Sequence, residues 1–184
     1  PSAPGTYTFT QKAIARQLHP NLPATPLWAY DDGSGLAGQA GSFGMAVVAR
    51  TGVPLSMNFV NALPAFYPPW IPVDPAIAIG GLGVRTMTHL HGGFVAAASD
   101  GSPAGGSAMG FGAGETQTVV YPNQGPQQPA SLLWFHDHAM GATRLNVFAG
   151  LAAAYIIRDD FDTGDATNVN ALPSGKYEVP LVIQ

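Results

Sequence analysis

The stretch SLLWFHDHAMGATRLNVFAG, residues 131–150, decides the fold. Its first eight residues are bulky, apolar or β-prone and read as a strand, and the AMGATRLNVF that follows reads as a short helix or a loop. In a strand, residues i and i+2 share a face, so His136 and His138 point the same way and Asp137 points to the other. Upstream, TMTHLHGGF, residues 86–94, repeats the spacing with His89 and His91, and Gly92 and Gly93 stop that strand. Four of the five histidines therefore stand in two H-x-H pairs.

Working outward, TYTFTQKAIARQL begins as an alternating edge strand, and Pro20, Pro23 and Pro26 then exclude a regular helix. Met45 to Ala49 and Leu55 to Val60 are β-prone runs separated by the Thr51-Gly52 turn signal. AFYPPWIPVDPAIAIGGLG reads as a long connection, and residues 96–114 as a loop of small residues. ETQTVVYP alternates as a strand, and LAAAYIIRD is another apolar run. From Asp159 to Lys176 the chain is polar and linker-like, and YEVPLVIQ reads as a strand with no partner behind it. Short strands with turn signals between them predict an antiparallel sandwich or barrel.

At 184 residues the chain can bury one sizeable core, and two full domains would be cramped. Charged residues make up 10%, far below the roughly 25% of an average soluble domain. The 23 Gly and 17 Pro fit many turns. A net charge of -4 with seven scattered Lys and Arg gives no basic stripe, so no nucleic acid is expected as a partner. The apolar run VFAGLAAAYII is much shorter than the ~20 residues a spanning helix needs, and no membrane partner is expected. With no cysteine, the chain by itself holds no disulfide, thiol nucleophile or iron-sulfur ligand set.

If the two H-x-H strands are neighbours, four neutral imidazoles enter one space. Imidazole suits copper, zinc and iron, and raw affinity favours copper. The plain alternative is a set of half-buried structural histidines. One pair would be weak ground for a metal, but two pairs are hard to explain by packing, because buried imidazoles need partners and resist charge. Spacing excludes other metal chemistries. His91 is followed by GGFVAA rather than by the x-D-H of a metallo-β-lactamase-like site, the chain is too short for a (β/α)8 amidohydrolase barrel, and H-E-x-x-H, G-x-S-x-G and P-loop patterns are absent. His19 is isolated beside Pro20 and reads as a loop residue.

The chain resembles the first cupredoxin domain of a multicopper oxidase, especially the group of spore-coat laccases, bilirubin oxidases and phenoxazinone synthases. The matching segments are QLHPNLPATPLWAY, THLHGG followed by SDG, YPNQ, LLWFHDHAMGATRLNVFAGLAAAYIIRD and the closing YEVPLVIQ. The resemblance implies an all-β, cupredoxin-like Greek-key β-sandwich. Residues 1–160 would be the first cupredoxin domain with an N-terminal extension, and 161–184 a linker and the first strand of a following cupredoxin domain. His89 would hold the type 2 copper, while His91, His136 and His138 would hold the type 3 pair. Asp100, in SDG, resembles the family's acidic residue that assists proton delivery; its bland alternative is an Asp-Gly turn. Trp134 and Phe135 are expected to pack around the site.

The family reaction couples one-electron oxidation of a small reducing substrate at a type 1 copper to four-electron reduction of dioxygen to water. This chain departs from the pattern in lacking the later H-x-x-H-x-H and H-C-H segments, and GQAGSFGMAV replaces a usual Pro-Gly-Pro. Half of a trinuclear cluster and no type 1 site are expected here. The complementary ligands are expected on a second polypeptide or the remaining part of a cleaved precursor. A copper-binding module without turnover, and a structural sandwich with vestigial histidines, are the competing readings.

Overall fold

The computed structural model describes residues 4–35, 37, 46–74, 76, 83–103, 109–168 and 172–181. Met45, most of the GQAGSFGMAV stretch, the later part of the long connection, residues 104–108 of the small-residue loop and the last three residues of the expected final strand lie outside them.

Among the described residues, eight strands are arranged as two four-stranded sheets. The first sheet holds β1 (Gly5–Arg16), β2 (Thr25–Asp31), β4 (Leu55–Asn61) and β6 (Thr116–Tyr121), in the order β2-β1-β4-β6. The second holds β3 (Val47–Arg50), β5 (Thr88–His91), β7 (Ser131–Asp137) and β8 (Ala152–Arg158), in the order β3-β8-β7-β5. The chain moves from one sheet to the other between β2 and β3, returns at β4, and does so again later. This is the all-β, cupredoxin-like sandwich anticipated above.

The pairing is mixed rather than wholly antiparallel: β1 runs parallel to β4, and β3 parallel to β8. A strand that returns from the opposite sheet is not bound by a hairpin to reverse its neighbour's direction. AMGATRLNVF resolves into one helical segment, α1 (Thr143–Ala149), closed by Gly150. β2 was not anticipated: Leu27 to Asp31 are all buried, so the period-2 signal is missing. In the last segment Gly175–Tyr177 form a short 3-10 turn, and residues 178–181 carry no strand. No helix among the described residues is long and apolar enough to cross a membrane.

The core lies between the facing sheets and is aromatic at its centre. Phe135 of β7 contacts Tyr30 of β2, with ring centroids 4.9 Å apart, and Phe59 of β4 at 5.9 Å; Phe9 of β1 stacks on Phe59 at 5.9 Å. Trp28, Tyr30, Phe59 and Phe135 are essentially inaccessible to solvent. Each such ring removes 150–250 Å² from water and couples the two sheets. Leu90 lies in the same core, so the inward rows of β5 and β7 are committed to packing.

Candidate metal centre

β5 and β7 pair antiparallel, with His89 opposite His136 and His91 opposite Trp134. Opposed residues share a face, so the histidines of both motifs project from the side of the sheet turned away from the core. Thr88, Leu90, Phe135 and Asp137 occupy the inward side and are all buried. The separation of Leu90 and Asp137 from the histidines, expected from period 2, is what the ladder produces. His138 lies just beyond β7 and extends the register: its backbone N–H donates to Met87 O at 2.6 Å.

The candidate ligand atoms of His89, His91 and His136 all lie within 4.8 Å of one another. The His138 ring stands beside them, 5.4 Å from His89 and 5.7 Å from His136 between centroids. His19 is exposed in the turn between β1 and β2, and its Nδ1 accepts the backbone N–H of Asn21.

Two ring orientations are fixed by carbonyls. His89 Nδ1–H donates to Asp100 O at 2.6 Å, and His136 Nδ1–H donates to Asp137 O at 2.7 Å. Because a carbonyl only accepts, these contacts put the proton on Nδ1 and leave each Nε2 with an open lone pair. His91 Nδ1 then stands 3.1 Å from His136 Nε2. Something electropositive must lie between two such nitrogens, either a proton or a metal ion. Two imidazole nitrogens sharing one ion at ~2.0–2.1 Å are separated by ~3–3.4 Å, so the spacing fits a common transition-metal ion. The Nδ1 of His138 is buried with no hydrogen-bond partner, a polar atom that a ligand would satisfy.

The surroundings favour neutral donors. His136 is pushed down to about 4, first by burial and then by the neighbouring histidines, against the Asp137 carbonyl contact. Trp134 stacks on His136 with centroids 4.1 Å apart and on His91 at 5.0 Å, so its packing role is direct contact with two candidate ligands. Across β7–β8, Ala152 opposes His136 and Ala154 opposes Trp134, and these small side chains leave the rings room.

Asp137 holds the end of β7. Its carboxylate accepts from Met87 N at 2.7 Å, Ala139 N at 3.0 Å and Asn146 Nδ2 at 2.7 Å, tying β7 to the approach to β5 and to α1. Burial nevertheless lifts this carboxyl to about 7, against donors that favour the ionised form.

Asp100 sits in a turn that packs beside the cluster. It follows a 3-10 turn, Ala97–Ser99, and precedes Gly101, whose φ is +70°. It also faces the cluster, with Oδ1 3.5 Å from His89 Nδ1. The turn is held against β5 because Gly101 has no side chain: a Cβ there would stand 1.8 Å from Thr88 O.

Sequence reasoning missed the polar support beneath the histidines. Gln117 of β6 accepts from Thr88 N at 2.7 Å and donates to Thr88 O at 2.9 Å. Gln11 donates to Thr88 Oγ1 at 3.1 Å and accepts from Thr86 Oγ1 at 2.6 Å. The signal was present, since each glutamine occupies the inward phase of an alternating strand where an apolar residue is the rule.

No protein-family model matches the chain. Individual relatives do. Over 185 residues it is 36% identical to a laccase of Bacillus stratosphericus, spanning 96% of this chain and 32% of that protein. Over 187 residues it is 35% identical to a laccase of Bacillus subtilis (strain 168), spanning 96% and 33%. Similarity extends to the multicopper oxidase LPR1 homolog 3 of Oryza sativa subsp. japonica, at 37% over 182 residues, 96% of this chain and 32% of that one. The chain thus spans about a third of the length of these relatives. Among solved structures, the laccase from Pediococcus acidilactici superposes with a TM-score of 0.60 at 24% identity, over 86% of this chain and 27% of that one. The multicopper oxidase from Campylobacter jejuni gives 0.60 at 23%, over 86% and 26%. These two likenesses show a common fold.

Proposed function

Because the chain belongs to the multicopper oxidase family, we propose that it is the N-terminal part of a laccase-like oxidase and contributes half of the ligands of a trinuclear copper cluster. The observation that carries this reading is the meeting of His89, His91 and His136 nitrogens on one face of the β5–β7 ladder, with His138 alongside. In this assignment His89 serves a type 2 copper, and His91, His136 and His138 serve the type 3 pair. The other ligands, and the type 1 copper with its cysteine, belong to a complementary part, since this chain has no cysteine. Residues 1–160 act as the first cupredoxin domain and 161–184 as a linker into the next, where the closing YEVPLVIQ would become a strand only by pairing with that domain's sheet. The end of the last assigned strand at Arg158 supports that boundary.

Copper, when bound, supplies one-electron chemistry that couples oxidation of a small reducing substrate to reduction of dioxygen to water. The chain's own groups prepare the site. The Asp100 and Asp137 carbonyls hold protons on Nδ1 of His89 and His136, and so present Nε2 as the donor. Trp134 covers two of the rings and limits water access from that side. Asp100 Oδ1, partly exposed and beside His89, is placed to accept a proton from solvent and pass it inward.

Metal quantitation with intact mass analysis of the native assembly tests the proposal, together with oxygen uptake driven by a phenolic donor. Several coppers and a companion segment bearing histidine and cysteine are expected. An assembly that binds no copper would refute the reading; stoichiometric copper without oxygen uptake would favour the binding module without turnover.

A further inference from the structure

We propose that Gln117, on the opposite sheet, is a positioning residue for the histidine cluster: its carboxamide holds β5 at the depth and register where His89 and His91 meet His136. This rests on reading the cluster as a copper site. β5 is only four residues long and lies at the edge of its sheet. The N–H of Asp137, opposite Thr88, donates to Leu151 O on the β8 side. Thr88 and Asp137 are therefore a non-hydrogen-bonded pair, and the N–H and C=O of Thr88 point to the open edge. Thr88 is wholly buried, so water cannot satisfy them.

Gln117 does so with one side chain. Its Oε1 takes the N–H and its Nε2 supplies the C=O, the pair of bonds that an adjoining strand would have made. It reaches across from β6, the edge strand of the other sheet, and so staples the two sheet edges together. A glutamine only 5% exposed, in line with buried Val119 and Tyr121, is tolerated where both ends of its amide are paired, and here one residue pairs both. Thr88 directly precedes His89. Releasing it lets β5 move outward along the edge and carries His89 and His91 away from the 3.1 Å approach to His136.

The test compares Gln117→Leu with Tyr155→Phe, which removes a different buried hydrogen bond, to Asn123. Three readouts are taken in the full protein: Cu(II) affinity by titration, and in the metal-free state the exchange of the Thr88 amide and the His89 Nδ1–H resonance. Gln117→Leu is expected to weaken Cu(II) binding on the order of 10–100-fold, as loss of groups that orient ligands commonly does. It should also free the Thr88 amide to exchange and abolish the His89 resonance, whereas Tyr155→Phe should leave all three near wild type. Equal effects of the two variants, or no effect of Gln117→Leu, would overturn the proposal. If wild type itself takes up no Cu(II), the copper reading falls, and the two proton readouts still decide whether Gln117 sets His89. Should Gln117→Leu not fold, Gln117→Glu keeps an acceptor for Thr88 N–H, loses the donor to Thr88 O, and carries the same comparison.

Discussion

Replacing Gly101 with Ala tests whether the Asp100 turn is seated on β5 as described. The new Cβ would lie 1.8 Å from Thr88 O, 2.6 Å from Thr88 C and 2.9 Å from His89 Cα, all of them backbone atoms that no rotamer change can move. Ordinary carbon-oxygen contact is well beyond 3 Å, so the turn must retreat by roughly an ångström or more, which breaks the 2.6 Å bond from His89 Nδ1–H to Asp100 O. Three contributions follow. A left-handed non-glycine residue costs roughly 1–2 kcal/mol, overpacking typically adds about 1–3 kcal/mol, and the lost hydrogen bond adds about 1 kcal/mol. The expected loss is on the order of 3–6 kcal/mol. Gly114→Ala separates these terms, because Gly114 has φ +81° with nothing within 4 Å of its Cβ position and should lose only the roughly 1–2 kcal/mol of backbone strain. Urea unfolding of the metal-free protein measures both, and nitrogen-15 spectra follow the His89 ring. Equal destabilisation by the two substitutions, or an intact His89 Nδ1–H resonance in Gly101→Ala, would refute the seating of the turn.

Other consequences are open to measurement. In the metal-free protein the raised carboxyl of Asp137 makes the native state bind protons more tightly than the unfolded chain, so its contribution to stability falls as pH rises from roughly 4 to about 7. The lowered His136 does the reverse between about 4 and roughly 6.5. The opposed slopes, each up to ~1.4 kcal/mol per pH unit, should nearly cancel in wild type; Asp137→Asn should expose stability that rises with pH, and a flat profile in that variant would contradict the assignment. On β7, Phe135→Ala should cost about 3–5 kcal/mol, whereas Leu132→Ala, at a site 68% exposed, should stay within about 0.5 kcal/mol; comparable losses would mean the faces are misassigned. On the proposed function, Asp100→Asn should retain copper, slow oxygen uptake by the native assembly and alter its pH-rate profile; an unaltered profile would count against a proton role for the carboxylate.

The site was more legible than the frame around it. H-x-H in a β-prone run has one geometric meaning, because period 2 puts both rings on one side, and the ladder that pairs His89 with His136 follows once the two strands are neighbours. β1, β4, β6, β7 and β8 also announce themselves by alternation or by a buried apolar run. The parallel pairings did not, since they join segments separated by whole strands in the other sheet and leave no local trace. β2 was obscured by flanking prolines and by burial on both faces. Gln11 and Gln117 are polar residues in apolar phases, a local inconsistency whose meaning depends on Thr88, a partner 77 and 29 residues away in sequence.

The histidines stand on the outside of a ladder whose inside is Leu90, Phe135 and the aromatic centre of the protein. Alternate positions along the same few residues thus answer to separate demands, one row to cohesion and the next to reactivity. The packing of the inward row uses none of the candidate ligand nitrogens, so a surface that closes over the rings can do so from outside without reopening the interior. Such a ladder can exchange its outward row for another set of donors while the inward row continues to specify the same architecture.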